Sequence, residues 1–228
     1  VKYIYIKSRR IVIMGQYFKL VNYDKKQRYN PSDTTFAIKW YGFSRNFTNS
    51  VAMINLLVHE WNGDHIAIVR DYGNEHDYAG DHLQDIPGDE ARDIVERNID
   101  KKFVRSEHGW YEIPESLSQP RYNGFNSVNE YVFGNYDKKQ YMRFDAFPNQ
   151  GSTYRDLIND AHSTGAYFAM CNLLVPDFSY GSEYDSWSGD RVGIILKNGK
   201  NAADMKDVTE YILQEPEIAS FYHEEDEW

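Results

Sequence analysis

The chain has 228 residues, of which 41% are apolar and 26% charged, enough for one large or two small packed domains without disulfide or metal staples. Its 35 acids against 25 bases leave a net charge of -10, which argues against direct nucleic-acid binding, because phosphate contacts need clustered cations. No stretch approaches the ~18 apolar residues of a membrane helix, and the first residues do not read as a secretory signal, so no membrane partner is expected.

A single cysteine, Cys171, allows no internal disulfide and fits a reduced, cytoplasmic setting. Its apolar neighbours make it a buried packing residue rather than a nucleophile. The 19 Tyr, 12 Phe and 5 Trp are unusual, and aromatic side chains favour pleated strands. A strand-rich protein is expected, with room for an aromatic binding surface.

In chain order, residues 1–13 are expected to be an N-terminal extension, with Met14 the natural start. Residues 14–105 form a first repeat. It opens on a strand, Tyr17-Phe18-Lys19-Leu20-Val21, then a polar turn, Asn22-Tyr23-Asp24-Lys25-Lys26-Gln27, then a second strand from Arg28. Strand, polar turn and strand predict a β-hairpin. A helix follows, with Thr48 or Asn49 as cap and Val51, Ile54, Leu57 and Val58 on one face. Trp61-Asn62-Gly63-Asp64 then turns the chain into a strand over 66–69, and a helix is predicted over 89–101 after Pro87-Gly88.

Residues 106–126 hold Pro114, Pro120 and several aromatics, and are predicted to connect the repeat to a second one over 127–228. There the hexapeptide returns letter for letter as Asn135-Tyr136-Asp137-Lys138-Lys139-Gln140. Ala52-Met53-Ile54-Asn55-Leu56-Leu57-Val58 returns as Ala169-Met170-Cys171-Asn172-Leu173-Leu174-Val175, and Trp61-x-Gly63-Asp64 as Trp187-x-Gly189-Asp190. Similar blocks in one fixed order signal a supersecondary unit used twice. The second unit is predicted to carry a helix over 154–161, a second over 166–175, a strand over 192–196 and a last helix over 205–213. An insertion at 176–186 and an acidic C-terminal tail complete it. The expected fold is α+β: internally duplicated β-β-α-β units forming one pseudo-symmetric body.

The segment Met14-Gly15-Gln16-Tyr17 to Asn22, with the Trp61-x-Gly63-Asp64 turn and Asp71-Tyr72, resembles a set of bacterial hypothetical proteins. Those open Met-Gly-Gln-Tyr and carry Trp-x-Gly-Asp-Arg before an apolar strand. The resemblance covers residues 14 to about 80, implies no activity and carries over no catalytic residue; His65 stands where that pattern has Arg, which the second repeat supplies as Arg191.

Candidate site residues are the polar positions present twice. Asp64 and Asp190 are either turn residues after a left-handed glycine or a carboxylate pair for a hydrolase, with His59 or His65 beside them. Asn55 and Asn172 sit in apolar runs, where a buried amide either ties backbone together or binds a ligand. Tyr180 and Tyr184 in the insertion, with Trp61 and Trp187, are the expected aromatic contacts. The histidines His59 and His65 are six apart with Gly63 between them, unlike the helical spacing of a zinc protease, so no metal and no cofactor is expected. Without a phosphate loop or nucleophile motif, the reading is a non-enzymatic protein that binds a protein or small-molecule ligand. The alternatives are the hydrolase and an acidic nucleic-acid mimic.

Overall fold

Short-range pairing around the two copies of the hexapeptide organises the chain. A computed structural model describes residues 18–30, 40–44, 47–70, 83–96, 104–105, 111–112, 130–147, 165–176, 186–216 and 218. In chain order the elements are β1 (Phe18–Asn22), β2 (Gln27–Tyr29), α1 (Trp40–Ser44), α2 (Phe47–Val58), β3 (Asp64–Arg70), β4 (Gln84–Asp85) and α3 (Gly88–Glu96). They continue with β5 (Val104–Arg105), β6 (Tyr111–Glu112), β7 (Tyr131–Asn135), β8 (Gln140–Arg143), α4 (Gly165–Leu173), β9 (Arg191–Leu196), β10 (Lys206–Asp207) and α5 (Thr209–Leu213). The protein is α+β: helices pack on a mixed eight-stranded sheet of order β10-β8-β7-β9-β3-β1-β2-β4, and β5–β6 form a separate hairpin that straddles the boundary expected at residue 105.

The sheet order reads the same from either end when each strand is exchanged for its counterpart. The registers match too. Asn22 faces Gln27 and Ile66 on its two sides, and Asn135 faces Gln140 and Val192. The edge strands β4 and β10 run parallel to β2 and β8, with Gln27 opposite Gln84 and Gln140 opposite Lys206. In the middle, β3 and β9 are antiparallel and overlap only where they begin, with His65 opposite Arg191.

Apolar residues lie on both faces of the sheet, so its central strands are continuous apolar runs rather than alternating ones. Leu20, Ile66, Ile68, Phe133, Val192 and Ile194 pack under α2 and α4 in one large cluster that spans both halves of the chain. On the other face, Val21, Ala67 and Val69 gather with Leu83, and Val132 and Ile195 gather with Ala202 and Met205. The halves also interlock. Ile68 donates its amide to the Leu174 carbonyl at the end of α4 (2.8 Å), and Tyr167 on α4 donates its hydroxyl to the Phe43 carbonyl on α1 (3.1 Å). The Trp40 and Phe168 rings meet at 6.3 Å.

Two expectations change. The helix predicted over 205–213 begins only at Thr209, because Lys206–Asp207 is claimed by the sheet: Lys206 N–H donates to Lys139 O (2.8 Å) and Val208 N–H to Tyr141 O (3.0 Å). A parallel edge strand, β4 or β10, thus precedes each expected closing helix, and α3 covers Gly88–Glu96 rather than starting at 89. The predicted helix over 154–161 lies outside the described residues.

Each hairpin turn ends on a lysine in the left-handed region, Lys26 at φ 54° and Lys139 at φ 55°. That backbone aims the lysine carbonyl at the edge strand, where Gln84 N–H and Lys206 N–H meet it at 3.0 and 2.8 Å. A side chain costs roughly 1–2 kcal/mol in this conformation, and glycine's greater unfolded freedom gives back about 0.5–1 kcal/mol. Lys26→Gly and Lys139→Gly are each expected to raise stability by about 0.5 kcal/mol, additively, as a higher urea midpoint. No gain from either variant would mean that the lysine side chains stabilise the turn themselves.

Candidate functional site

The repeated polar residues come together where β3 and β9 meet. Gly63 and Gly189 take φ of 85° and 81°, as a tight turn into a strand requires, so the Trp-x-Gly-Asp blocks are turns. Their amides bond across to the opposite half, Gly63 N–H to Val192 O (2.9 Å) and Gly189 N–H to Ile66 O (2.8 Å). Trp61 and Trp187, expected as ligand contacts, are 1% and 0% exposed and fill the core: the Trp187 ring meets Phe133 at 5.1 Å, and Trp61 Nε1–H donates to Gln27 Oε1 at 3.2 Å. Large aromatic rings gain more from burial than a short turn could retain at the surface.

Strand alternation puts Asp64 and Asp190 on the helix side of the sheet. Both are held by the residues that open their own hairpin. Asn22 Nδ2–H donates to Asp64 Oδ2 (2.8 Å), and Lys25 pairs with the same oxygen. Asn135 Nδ2–H donates to Asp190 Oδ2 (2.8 Å), and Lys138 pairs with it at 2.9 Å. The asparagine oxygens in turn accept the amides of Lys25 (2.9 Å) and Lys138 (2.8 Å). Asn22 and Asn135 are fully buried, so these bonds satisfy amides that would otherwise be costly. Each carboxylate thus anchors its own turn, and among the described residues no group of three or more His, Cys, Asp or Glu is placed to hold a metal ion.

On the opposite face lie His65 and Arg191, with Asp24 and Asp137. Asp24 accepts the His65 amide (2.8 Å) and faces its Nδ1 (2.8 Å); Asp137 accepts the Arg191 amide (2.8 Å) and its guanidinium (2.6 and 2.8 Å). The side chains of His65, Arg191 and Asp24 are 42%, 50% and 44% exposed, and that of Asp137 is 31%. The His65 amide donated to Asp24 holds the Asp24 carboxyl below its ordinary range. The Arg191 guanidinium, then its amide, do the same for Asp137, with the positive field of His65 adding to the effect. The histidine beside a carboxylate is therefore paired with Asp24, not with Asp64. A lowered folded pKa stabilises the fold above the unfolded carboxylate value of about 3.9 and ceases to as pH falls through the folded value. Urea midpoints should therefore hold steady above about pH 5 and fall below about pH 4. Asp137→Asn should flatten part of that acid limb, and an unchanged limb would show that other carboxylates set it.

The remaining candidates lie elsewhere. Asn55 Nδ2–H donates to Val51 O (2.9 Å) and Ile94 O (3.3 Å), tying α2 to α3 inside the core. Asn172, its counterpart on α4, is buried and its Nδ2 has no hydrogen-bond partner among the described residues. His59 is exposed in the turn after α2, its amide donating to Asn55 O at 3.1 Å. Tyr180 and Tyr184 lie outside the described residues. Burial raises the pKa of the Cys171 thiol, which keeps it protonated and inert. Sequence reading missed Asn22, Asp24, Lys25 and their counterparts as the groups that build this centre. The signal was present in the identical hexapeptide, whose polar residues were read only as turn formers.

Comparison with known proteins finds no matching family model, no matching curated protein and no matching solved structure.

Proposed function

We propose that this is a non-enzymatic binding protein, an internally duplicated body whose contact surface is centred on the charges flanking the His65–Arg191 pair. The observation that carries this is the half-exposed group of Asp24, His65, Arg191 and Asp137, two carboxylates, an imidazole and a guanidinium on one sheet face. Such alternating charge selects a partner by complementary placement of opposite charges more than by total charge. The twice-occurring carboxylates Asp64 and Asp190 are engaged by Asn and Lys, which fits a scaffold role for them. No described helix is long and apolar enough to cross a membrane. A reduced cytoplasmic setting, with a protein as the partner, completes the reading.

The test compares wild type with His65→Glu/Arg191→Glu in a quantitative pull-down from native lysate. Wild type should retain a partner in stoichiometric yield, and the double variant should lose it while its circular dichroism stays unchanged. Nothing above background for wild type would count against binding. The hydrolase alternative, expected on Asp64 and Asp190 with His59 or His65, would draw instead on the His65–Asp24 pair, a half-exposed imidazole oriented by a carboxylate. It predicts a substrate turned over by wild type and not by Asp24→Asn.

A further inference from the structure

The meeting of the two halves has the form of an interface between two like subunits. Its hydrogen bonds are reciprocal: Gly63 N–H to Val192 O is answered by Gly189 N–H to Ile66 O. The pair His65–Arg191 lies at its centre, with Asp64 opposite Val192 on one side. Beyond this two-residue overlap, each central strand has its free edge covered from the other half. Asn62 Nδ2–H donates to Ile194 O (2.8 Å) on β9, and Ile68 on β3 donates to Leu174 O (2.8 Å). Tyr136 of the second half reaches Asn62 of the first at 2.7 Å, and the large apolar cluster draws on both halves. Each half therefore buries its apolar face against the other.

We propose that the interaction surface formed by the starts of β3 and β9 accepts a second copy of this chain, giving a closed dimer in which the first half of each chain packs on the second half of the other. Every described contact across the meeting line is conserved in that exchange, so the two forms differ chiefly in the entropy of association. Monomer is favoured at low concentration. Interconversion is slow, since the shared core must open before the halves can change partners. A two-fold arrangement of this kind closes on itself and leaves no open edge for further growth.

The geometry supplies its own reporter. The amide and carbonyl of His65 bond toward the first hairpin, to Asp24 and Tyr23, so His65 and Arg191 form a non-hydrogen-bonded antiparallel pair. Side chains are closest in such pairs, near the spacing a disulfide spans. His65→Cys and Arg191→Cys are made as separate full-length chains, mixed in equal amounts, unfolded in urea with reductant and refolded together at high concentration. Oxidised glutathione is added only after folding, when Cys171 is buried. The expected result is a mixed disulfide dimer from the mixture, absent when either variant is refolded alone. Unmodified chain refolded at rising concentration should show a growing species of twice 26.8 kDa by light scattering, with native circular dichroism. Two results would overturn the proposal. One is monomer at every concentration with no mixed disulfide. The other is a disulfide dimer formed by one variant alone, which would mean that like halves pair.

Discussion

Trp187→Ala is expected to cost about 3–5 kcal/mol, among the largest effects of any single substitution in this chain. The indole is 0% exposed, packs against Phe133 and sits in the turn whose backbone joins the two halves. Its own amide donates to Leu173 O (2.7 Å), and its carbonyl accepts the amide of Asp190 (3.1 Å). Truncation removes the buried ring and leaves a cavity that this doubly pinned backbone cannot close. Trp61→Ala should behave likewise, since Trp61 makes the corresponding bonds to Leu56 O (2.7 Å) and from Asp64 N–H (3.2 Å). For a chain of this size the loss corresponds to a fall in melting temperature on the order of 10 °C. Urea unfolding followed by circular dichroism measures it without relying on the fluorescence of the deleted ring. A stability change below about 1 kcal/mol would show that the indole sits in a site that tolerates its absence, as a ligand contact would.

The second large effect lies at Gly193. A methyl group there would stand 2.5 Å from Asn62 Oδ1 and 2.8 Å from its Cγ. Asn62 cannot move without loss, because its side chain bonds Ile194 O at 2.8 Å and Tyr136 Oη at 2.7 Å. The counterpart positions in the other half carry Ala67 and Ser188, a larger residue on the strand together with a smaller one in the turn. Gly193→Ala alone should cost about 1–3 kcal/mol through displaced hydrogen bonds, and Asn62→Ser alone a similar amount. The double variant rebuilds the Ala–Ser combination of the other half, so it should lose about 1 kcal/mol less than the sum of the two. Strict additivity would mean that the two residues do not compete for the same space.

These two sites show where sequence reading reaches its limit. The hairpins were legible because a polar hexapeptide between apolar runs leaves the backbone few alternatives: β1–β2 lie within about one residue of expectation, and β7–β8 flank the repeated hexapeptide in the same way. The helix at Phe47–Val58 was legible from its apolar spacing, and its counterpart at Gly165–Leu173 from the matching block. The edge strands Gln84–Asp85 and Lys206–Asp207 were not legible. Two residues carry no periodicity, and what makes them strands is a neighbour distant in sequence offering a left-handed lysine carbonyl. The roles of Asp64 and Asp190 were read as a choice between turn and catalysis. The hydrogen bonds from Asn22 and Asn135 tie both carboxylates into their turns, through side-chain amides rather than backbone ones.

Local chemistry alone thus determined the units, their turns, the left-handed glycines and the buried thiol, because each depends on neighbours a few positions away. Tertiary structure alone decided that β3 and β9 join in one sheet through His65 and Arg191. It also decided that His65 answers to Asp24, and that both tryptophans face inward. Those outcomes are set by which distant surfaces lose water together, and no window of sequence contains both of the surfaces involved.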